Sequence, residues 1–369
     1  MPEISKKNIQ FYFPQLDGLR FFAFLLVFIH HHNLLENHKY LSFLHTFGWI
    51  GVDLFFVLSS FLITKLLIKE YENNNAISYK KFYLRRLLRI WPLYFSFIFF
   101  SIIIHFIKNG GFENIYLLRL FGLLTFSDNL LALKYGYNPF PYISHFWTIT
   151  YEEQFYILIP FVIMKLIRST IKIKIITLIS NLFLFSIIRF VFIALDFPHP
   201  AIWVLPITHF ESIIFGIVIA FGGFEILKNY INPIYCGLIG VIFFVFICLL
   251  PNLDKISYLL ILSYTFVGIS TSFILFSVLN SENLSKFLSN KILVFLGKRS
   301  FGLYVFHFFG NEMALIILHK LNIPKTYLII SFFLSLTITI ILSIISYKYI
   351  EIPFLKIKKK FEMVYSRPI

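Results

Sequence analysis

The sequence predicts an all-α integral membrane protein, a bundle of about ten transmembrane helices with both termini on the cytoplasmic side. Three observations lead there. The apolar fraction of the 369-residue chain is 58% and charged residues make up only 14%, with a mean hydropathy of +0.80; a soluble domain of that length clothes itself in more polar side chains. The apolar residues come in runs of roughly 20, the length that spans the ~30 Å hydrocarbon core at ~1.5 Å rise per residue. Those runs do not alternate apolar with polar residues as barrel strands would, so a spanning backbone has to be helical.

In order, the spans are expected at 19–37, 47–68, 91–107, 142–167, 174–194, 203–223, 234–250, 258–279, 300–319 and 327–350. A weaker stretch, 115–127, is too short to cross and is expected to be interfacial or re-entrant. With the N-terminus inside, 25 Lys and Arg fall on the inner side and 7 on the outer, Arg189 lying within a span. The positive-inside rule then places both termini in the cytoplasm. The net charge of +15 is explained by topology, and no nucleic-acid partner is expected. The tail lysines Lys356, Lys358, Lys359 and Lys360 read as an anchor at an anionic leaflet.

Cys236 and Cys248 share one apolar run, which implies neither a disulfide framework nor a zinc site. The first span runs into His30-His31-His32-Asn33, not into a small-residue cleavage site, so it is not read as a removable signal peptide. No internal repeat has a fixed period. A single membrane domain over 1–369 is expected, with no soluble appendage after the last span. Heavy use of Phe, Ile, Lys and Asn suggests an AT-rich bacterial genome, hence a bacterial cytoplasmic (inner) membrane.

Ionisable residues inside a bilayer are costly and mark function by default. By rise per residue, His31, Asp53, Glu152, Glu211 and His307 all fall ~10–21 Å from the inner boundary. Five such residues on five helices suggest a polar cavity. Structural ion pairing is the alternative, most readily for Glu211. Arg20 and His31 are eleven residues apart and differ by ~20° around a helix, so they share a face, while His30 and His32 project away from it. His145 and Glu152, and Ser300 and His307, are each seven apart and nearly in line. At the cytoplasmic mouth of the third span, Arg85, Arg86 and Arg89 lie on one side of a helix. Their forks suit phosphate oxygens, such as the diphosphate and 3′-phosphate of coenzyme A; positive-inside anchoring is the alternative.

These residues resemble the motifs of the acyltransferase family 3 membrane proteins, in order from Leu16 to Pro353. Leu16-Asp17-Gly18-Leu19-Arg20 followed by His31 is similar to the family's Arg-x10-His opening. Gly51-Val52-Asp53 through Ile63 resembles its second motif, and Arg86-x-x-Arg89 with Trp91-Pro92 its cytoplasmic arginine motif. His145-Phe146-Trp147-Thr148 through Glu152-Glu153-Gln154-Phe155-Tyr156 resembles its Trp-Ser-Leu and Glu-Glu-Gln-Phe-Tyr block. Gly297-Lys298-Arg299-Ser300 through Tyr304, His307 and the terminal Glu351-Ile352-Pro353 complete the set. Four positions depart from the pattern. Ser60 stands where glycine is usual and Thr148 where serine is; His209 and Glu211 stand where Arg and Asp are commoner. Many relatives carry a C-terminal esterase-like domain, and none is expected here.

The resemblance implies transfer of an acyl group, usually acetyl, from coenzyme A to a hydroxyl of a carbohydrate or lipid-linked glycan. Acyl-CoA is then a donor substrate docked on Arg86 and Arg89, with Arg85 assisting. His31 would be the general base, a role typically worth ~10²–10⁴ in rate. Glu152 or Asp53 would orient its imidazole, and Arg20 would position the thioester or hold the helix entrance. An acyl-His31 intermediate stays open. His145, Trp147, Ser300, His307 and Glu211 are candidates for the substrate cavity. Trp147, Trp49, Tyr135 and Tyr137 near the outer side suit stacking on sugar rings. This chemistry needs no metal. The competing reading is a transporter or flippase, which midplane charges would serve equally well. Against it stand the lack of an evident inverted repeat and an arginine cluster at one mouth only.

Overall fold

A computed structural model describes residues 11–36, 38–324 and 327–364. Both chain ends, and Asn37 at the end of the first expected span, lie outside the described residues. Among the described residues every regular element is a helix. In chain order they are α1 (Pro14–His30), α2 (Ser42–Phe47), α3 (Ile50–Asn74), α4 (Tyr79–Asn109), α5 (Asn114–Leu124), α6 (Asp128–Tyr135), α7 (Trp147–Arg168), α8 (Ile171–Ala194), α9 (Ala201–Val204), α10 (Glu211–Ala220), α11 (Pro233–Ile247), α12 (Leu260–Asn280), α13 (Glu282–Leu288), α14 (Lys291–Lys298), α15 (Ser300–Lys320), α16 (Leu328–Ser346) and α17 (Ile352–Lys358), with short single-turn helices between them.

Among the described residues six stretches are long and apolar enough to cross a bilayer: α3, α4, α8, α12, α15 and the helical run 328–361 that contains α16 and α17. The other four expected spans are shorter, more polar or broken. Helix α1 has 17 residues and ends at His30, not near 37, because His32 turns extended and its ring accepts from the Leu34 N–H. Helix α7 has 22 residues but carries Glu152, Glu153, Lys165 and Arg168, and α11 has 15.

The expected span 203–223 is interrupted between α9 and α10, where Pro206 supplies no N–H and His209 leaves the helical region (φ −152°, ψ 76°). Helix breaks at membrane depth survive only where other groups satisfy the freed backbone. Here Arg189 Nη1 donates to the Thr208 carbonyl at 2.7 Å and the Tyr151 hydroxyl donates to the His209 carbonyl. Arg189 also pairs with Glu211 at 2.5 Å and donates to the Ile261 carbonyl at 2.8 Å. One buried guanidinium thus ties together α8, α10 and α12.

The weaker stretch 115–127 forms α5 and turns into α6. Fully buried Arg119 holds that hairpin, donating to Asp128 at 2.6 and 3.0 Å and to the Gly136 carbonyl at 2.8 Å. Elsewhere two glycines allow close approach. A Cβ on Gly297 would lie 1.7 Å from the Asp17 carbonyl oxygen, so α14 rests directly on the start of α1. A Cβ on Gly216 would lie 1.9 Å from Ser60 Oγ. The hydroxyl that replaces the usual glycine at 60 is therefore accommodated by a glycine on the facing helix.

Candidate active site

The bundle encloses a cavity of about 180 Å³. Helix α1 presents Arg20 to it, α4 presents Arg86 and Arg89, α7 presents Thr148, Glu152 and Tyr156, and α15 presents Ser300 and Tyr304. The run of apolar residues on α3 and α4 supplies the remaining wall, so the polar groups stand out against Val52, Phe55, Leu62 and Ile90.

Charge is concentrated at one end. Arg86 lies between two rings, its guanidinium 5.9 Å from both the Phe82 and the Tyr156 centroids. Glu152 accepts from Ser59 Oγ at 3.0 Å and from the Tyr156 hydroxyl at 3.1 Å. Arg20 pairs with Asp17 at 3.1 Å, and Tyr12 donates to the same carboxylate at 2.8 Å. Arg85 stands apart from its neighbours in sequence. Its guanidinium donates to Glu70 at 2.9 Å and to the Phe361 carbonyl at 3.0 Å, so it fastens the tail to α3 and α4. The cation that joins Arg86 and Arg89 at the cavity wall is instead Lys358 of α17, one of the tail lysines read from sequence as a membrane anchor.

At the other end the cavity is roofed by two hydroxyls. Thr148 Oγ1 and the Tyr304 hydroxyl are 2.8 Å apart, and both reach the His145 carbonyl, at 3.0 and 3.3 Å. Beside them lie three imidazoles, the rings of His145 and His307 5.0 and 5.4 Å from that of Tyr304. His31, the residue that caps α1, has its Nδ1 3.1 Å from Nε2 of His307. The His145 ring lies 4.6 Å from the His307 ring and stacks on Phe308 at 4.9 Å. Both ring nitrogens of His145 are buried without a hydrogen-bond partner among the described residues. Asn311 donates to the His31 carbonyl at 3.1 Å and fixes the backbone there. No three His, Cys, Asp or Glu side chains among the described residues are placed to share a metal ion.

The other candidates are distributed unevenly. His30 is held by the His45 carbonyl at 2.7 Å with its ring 4.8 Å from that of His31, and His32, beyond the end of α1, is held by Ser331 at 3.2 Å. The carboxylate expected beside His31 is not there. Glu152 instead lies against Ser59, four residues and so about one turn along α7 from Thr148. Asp53 accepts from His209 at 2.8 Å and Ser212 at 2.6 Å, a separate buried cluster joining α3 to the broken segment. Glu211 belongs to the Arg189 pair, with both side chains fully buried, and does not line the cavity. Trp147 and Trp49 are buried against Trp203 in an aromatic cluster; Tyr135 and Tyr137 are exposed. Sequence reasoning missed Lys358, Tyr156 and Tyr304. Tyr156 and Tyr304 each lie four residues from a singled-out position, Glu152 and Ser300, and i,i+4 spacing would have brought them to the same face.

Comparison with known proteins matches the sequence to a family. Residues 13–348 match the family model described as an acyltransferase domain. Among curated proteins, the chain is 28% identical over 380 residues to "Putative O-acetyltransferase SACOL0978" of Staphylococcus aureus (strain COL), covering 94% of this chain and 58% of that protein. It is 28% identical over 365 residues to "O-acetyltransferase OatA" of Staphylococcus aureus (strain NCTC 8325 / PS 47), covering 94% and 57%. The chain thus spans less than two thirds of the length of these relatives. No solved structure matches. The match takes in every helix from α1 to α16 and all the residues that line the cavity except Phe11, Tyr12 and Lys358, and on that extent the chain belongs to the acyltransferase family 3 of membrane proteins.

Proposed function

We propose that the chain is a membrane O-acyltransferase that takes an acyl group, acetyl in the first instance, from cytoplasmic acyl-CoA and passes it to a hydroxyl of a carbohydrate or lipid-linked glycan. The proposed topology has ten spans with both ends in the cytoplasm of a bacterium. The observation that supports the reading is the make-up of the cavity: Arg86, Arg89 and Lys358 share its wall with Thr148 and Tyr304, and the Tyr304 ring lies 5.4 Å from that of His307, the partner of His31. Cations at one end suit the phosphates of coenzyme A, and hydroxyls at the other suit a thioester carbonyl.

In the proposed step His31 takes the proton of the acceptor hydroxyl as its oxygen bonds to the thioester carbonyl carbon. The C–S bond breaks, and the thiolate leaves with the proton that His31 returns. Thr148 and Tyr304 hydroxyls would stabilise charge on the carbonyl oxygen, a contribution that is often the largest in acyl transfer. Glu152, held by Ser59 and Tyr156, keeps Tyr156 against Arg86 and so shapes the donor passage.

The test uses the full chain in lipid nanodiscs with radiolabelled acetyl-CoA. Free coenzyme A should be released in step with acetylated glycan, and surface glycans of cells that contain the protein should be heavier by one acyl unit. Passage of a substrate across vesicles with no coenzyme A released would refute the reading and favour a transporter.

A further inference from the structure

The His31–His307 contact has a second end that determines the first. His307 Nδ1 stands 2.5 Å from the Tyr304 carbonyl oxygen. A carbonyl can only accept, so this nitrogen carries the ring proton and donates it. A neutral imidazole has a single N–H, so His307 Nε2 holds a lone pair. That lone pair faces His31 Nδ1 at 3.1 Å, and two lone pairs would repel, so His31 Nδ1 must be the N–H. The lone pair of His31 is thereby assigned to Nε2.

We infer that His307 is a positioning residue that locks His31 in the Nδ1–H tautomer and so designates Nε2 as its basic nitrogen. The chain of hydrogen bonds begins at a main-chain carbonyl inside α15, which cannot rotate away. His307 is fully buried, so water does not compete for its ring. The Asn311 bond to the His31 carbonyl holds the other side of the contact. In hydrolytic triads a carboxylate sets the tautomer and also adds a negative charge. Here a neutral imidazole sets the tautomer alone. When Nε2 takes the acceptor proton, His31 becomes an imidazolium that still donates through Nδ1. His307 keeps its proton on Nδ1 throughout, and the proton taken by Nε2 leaves on the coenzyme A thiolate. The catalytic consequence rests on the acyl-transfer reading above; the tautomer does not.

Two measurements test the inference. The first is 15N solid-state NMR of histidine-labelled full-length protein in lipid, with the His31 resonances identified by difference from His31→Gln. Nδ1 should be protonated and Nε2 not; the reverse overturns the proposal. The second compares His307→Gln, which returns an amide oxygen near the former Nε2, with His307→Leu, which removes the acceptor at similar volume. Leu should lower kcat about 100-fold or more with KM for acetyl-CoA unchanged, and Gln should recover most of that loss. Equal loss in both variants, or a loss confined to KM, would show a packing role and overturn the proposal. Should the parent protein transfer no acyl group, the functional reading fails while the NMR result still decides the tautomer.

Discussion

Arg85 and Arg86 are neighbours in the chain, yet Arg85 donates to Glu70 at 2.9 Å and holds the Phe361 carbonyl, whereas Arg86 lines the cavity between the rings of Phe82 and Tyr156. A helix turns ~100° per residue, and that rotation separates a structural arginine from one available to ligand. Arg86→Ala and Arg89→Ala are expected to weaken acyl-CoA binding about tenfold each, the scale of one charge-assisted contact. Lysine should rescue only in part, since it offers no planar fork. Arg85→Ala should instead loosen residues 352–361, read as faster proteolysis of the tail. Binding that is unchanged in both alanine variants would leave these arginines as topological anchors.

Lys358→Met is expected to raise KM for acetyl-CoA with little change in kcat. Acetyl-pantetheine, which carries neither the diphosphate nor the 3′-phosphate, should be used equally well by parent and variant. Steady-state kinetics with both donors checks this, and an equal penalty on both would mean that Lys358 supports the fold only.

His31→Ala should abolish transfer while acyl-CoA binding stays near that of the parent, because a base acts in the transition state and makes no donor contact. His30→Ala and His32→Ala should keep turnover, as their rings are occupied by the His45 carbonyl and Ser331. The three variants are compared at matched protein level. Loss of activity only in His32→Ala would relocate the base.

The Arg189–Glu211 pair gives a stability prediction. Glu211→Gln leaves a buried guanidinium without its counter-charge and should cost about 3–5 kcal/mol, the usual penalty for breaking a buried pair. A double replacement with apolar residues should recover only part of it, because the Thr208 and Ile261 carbonyls then lose their donor. Thermal unfolding in detergent measures both, and additive losses would argue against direct coupling.

Topology is checked with single cysteines and a membrane-impermeant maleimide on intact cells. Cysteine at exposed Tyr135 should label from outside, and at exposed Lys81 it should label only after lysis. The opposite pattern would invert the proposed direction of transfer.

Much of this was readable in the sequence, and the boundary has a physical basis. Apolar run length located the helices, because burial in lipid is a local property of composition. It could not foresee the break before Glu211, which depends on Arg189 and Tyr151 arriving from other helices to satisfy the freed carbonyls. Helical phase does not reach His31 and His32, which lie beyond the last residue of α1; their different partners, His307 and Ser331, follow the turn to extended backbone at His32. It could not say that the partner of His31 is His307, since that contact spans 276 positions and depends on how α1 and α15 pack. Lys358 was hidden for a simpler reason: among four tail lysines, only the three-dimensional path of α17 distinguishes the one at the cavity.

The fastening of Arg85 to Phe361 also spans 276 positions, and this sets an order on biogenesis. As the chain leaves the ribosome, α4 is in place long before α17 exists. Until residues 352–361 emerge, the cavity stays open along one wall and lacks a cation. A chain that stops before this point therefore lacks both the Lys358 cation at the cavity wall and the carbonyl that Arg85 holds.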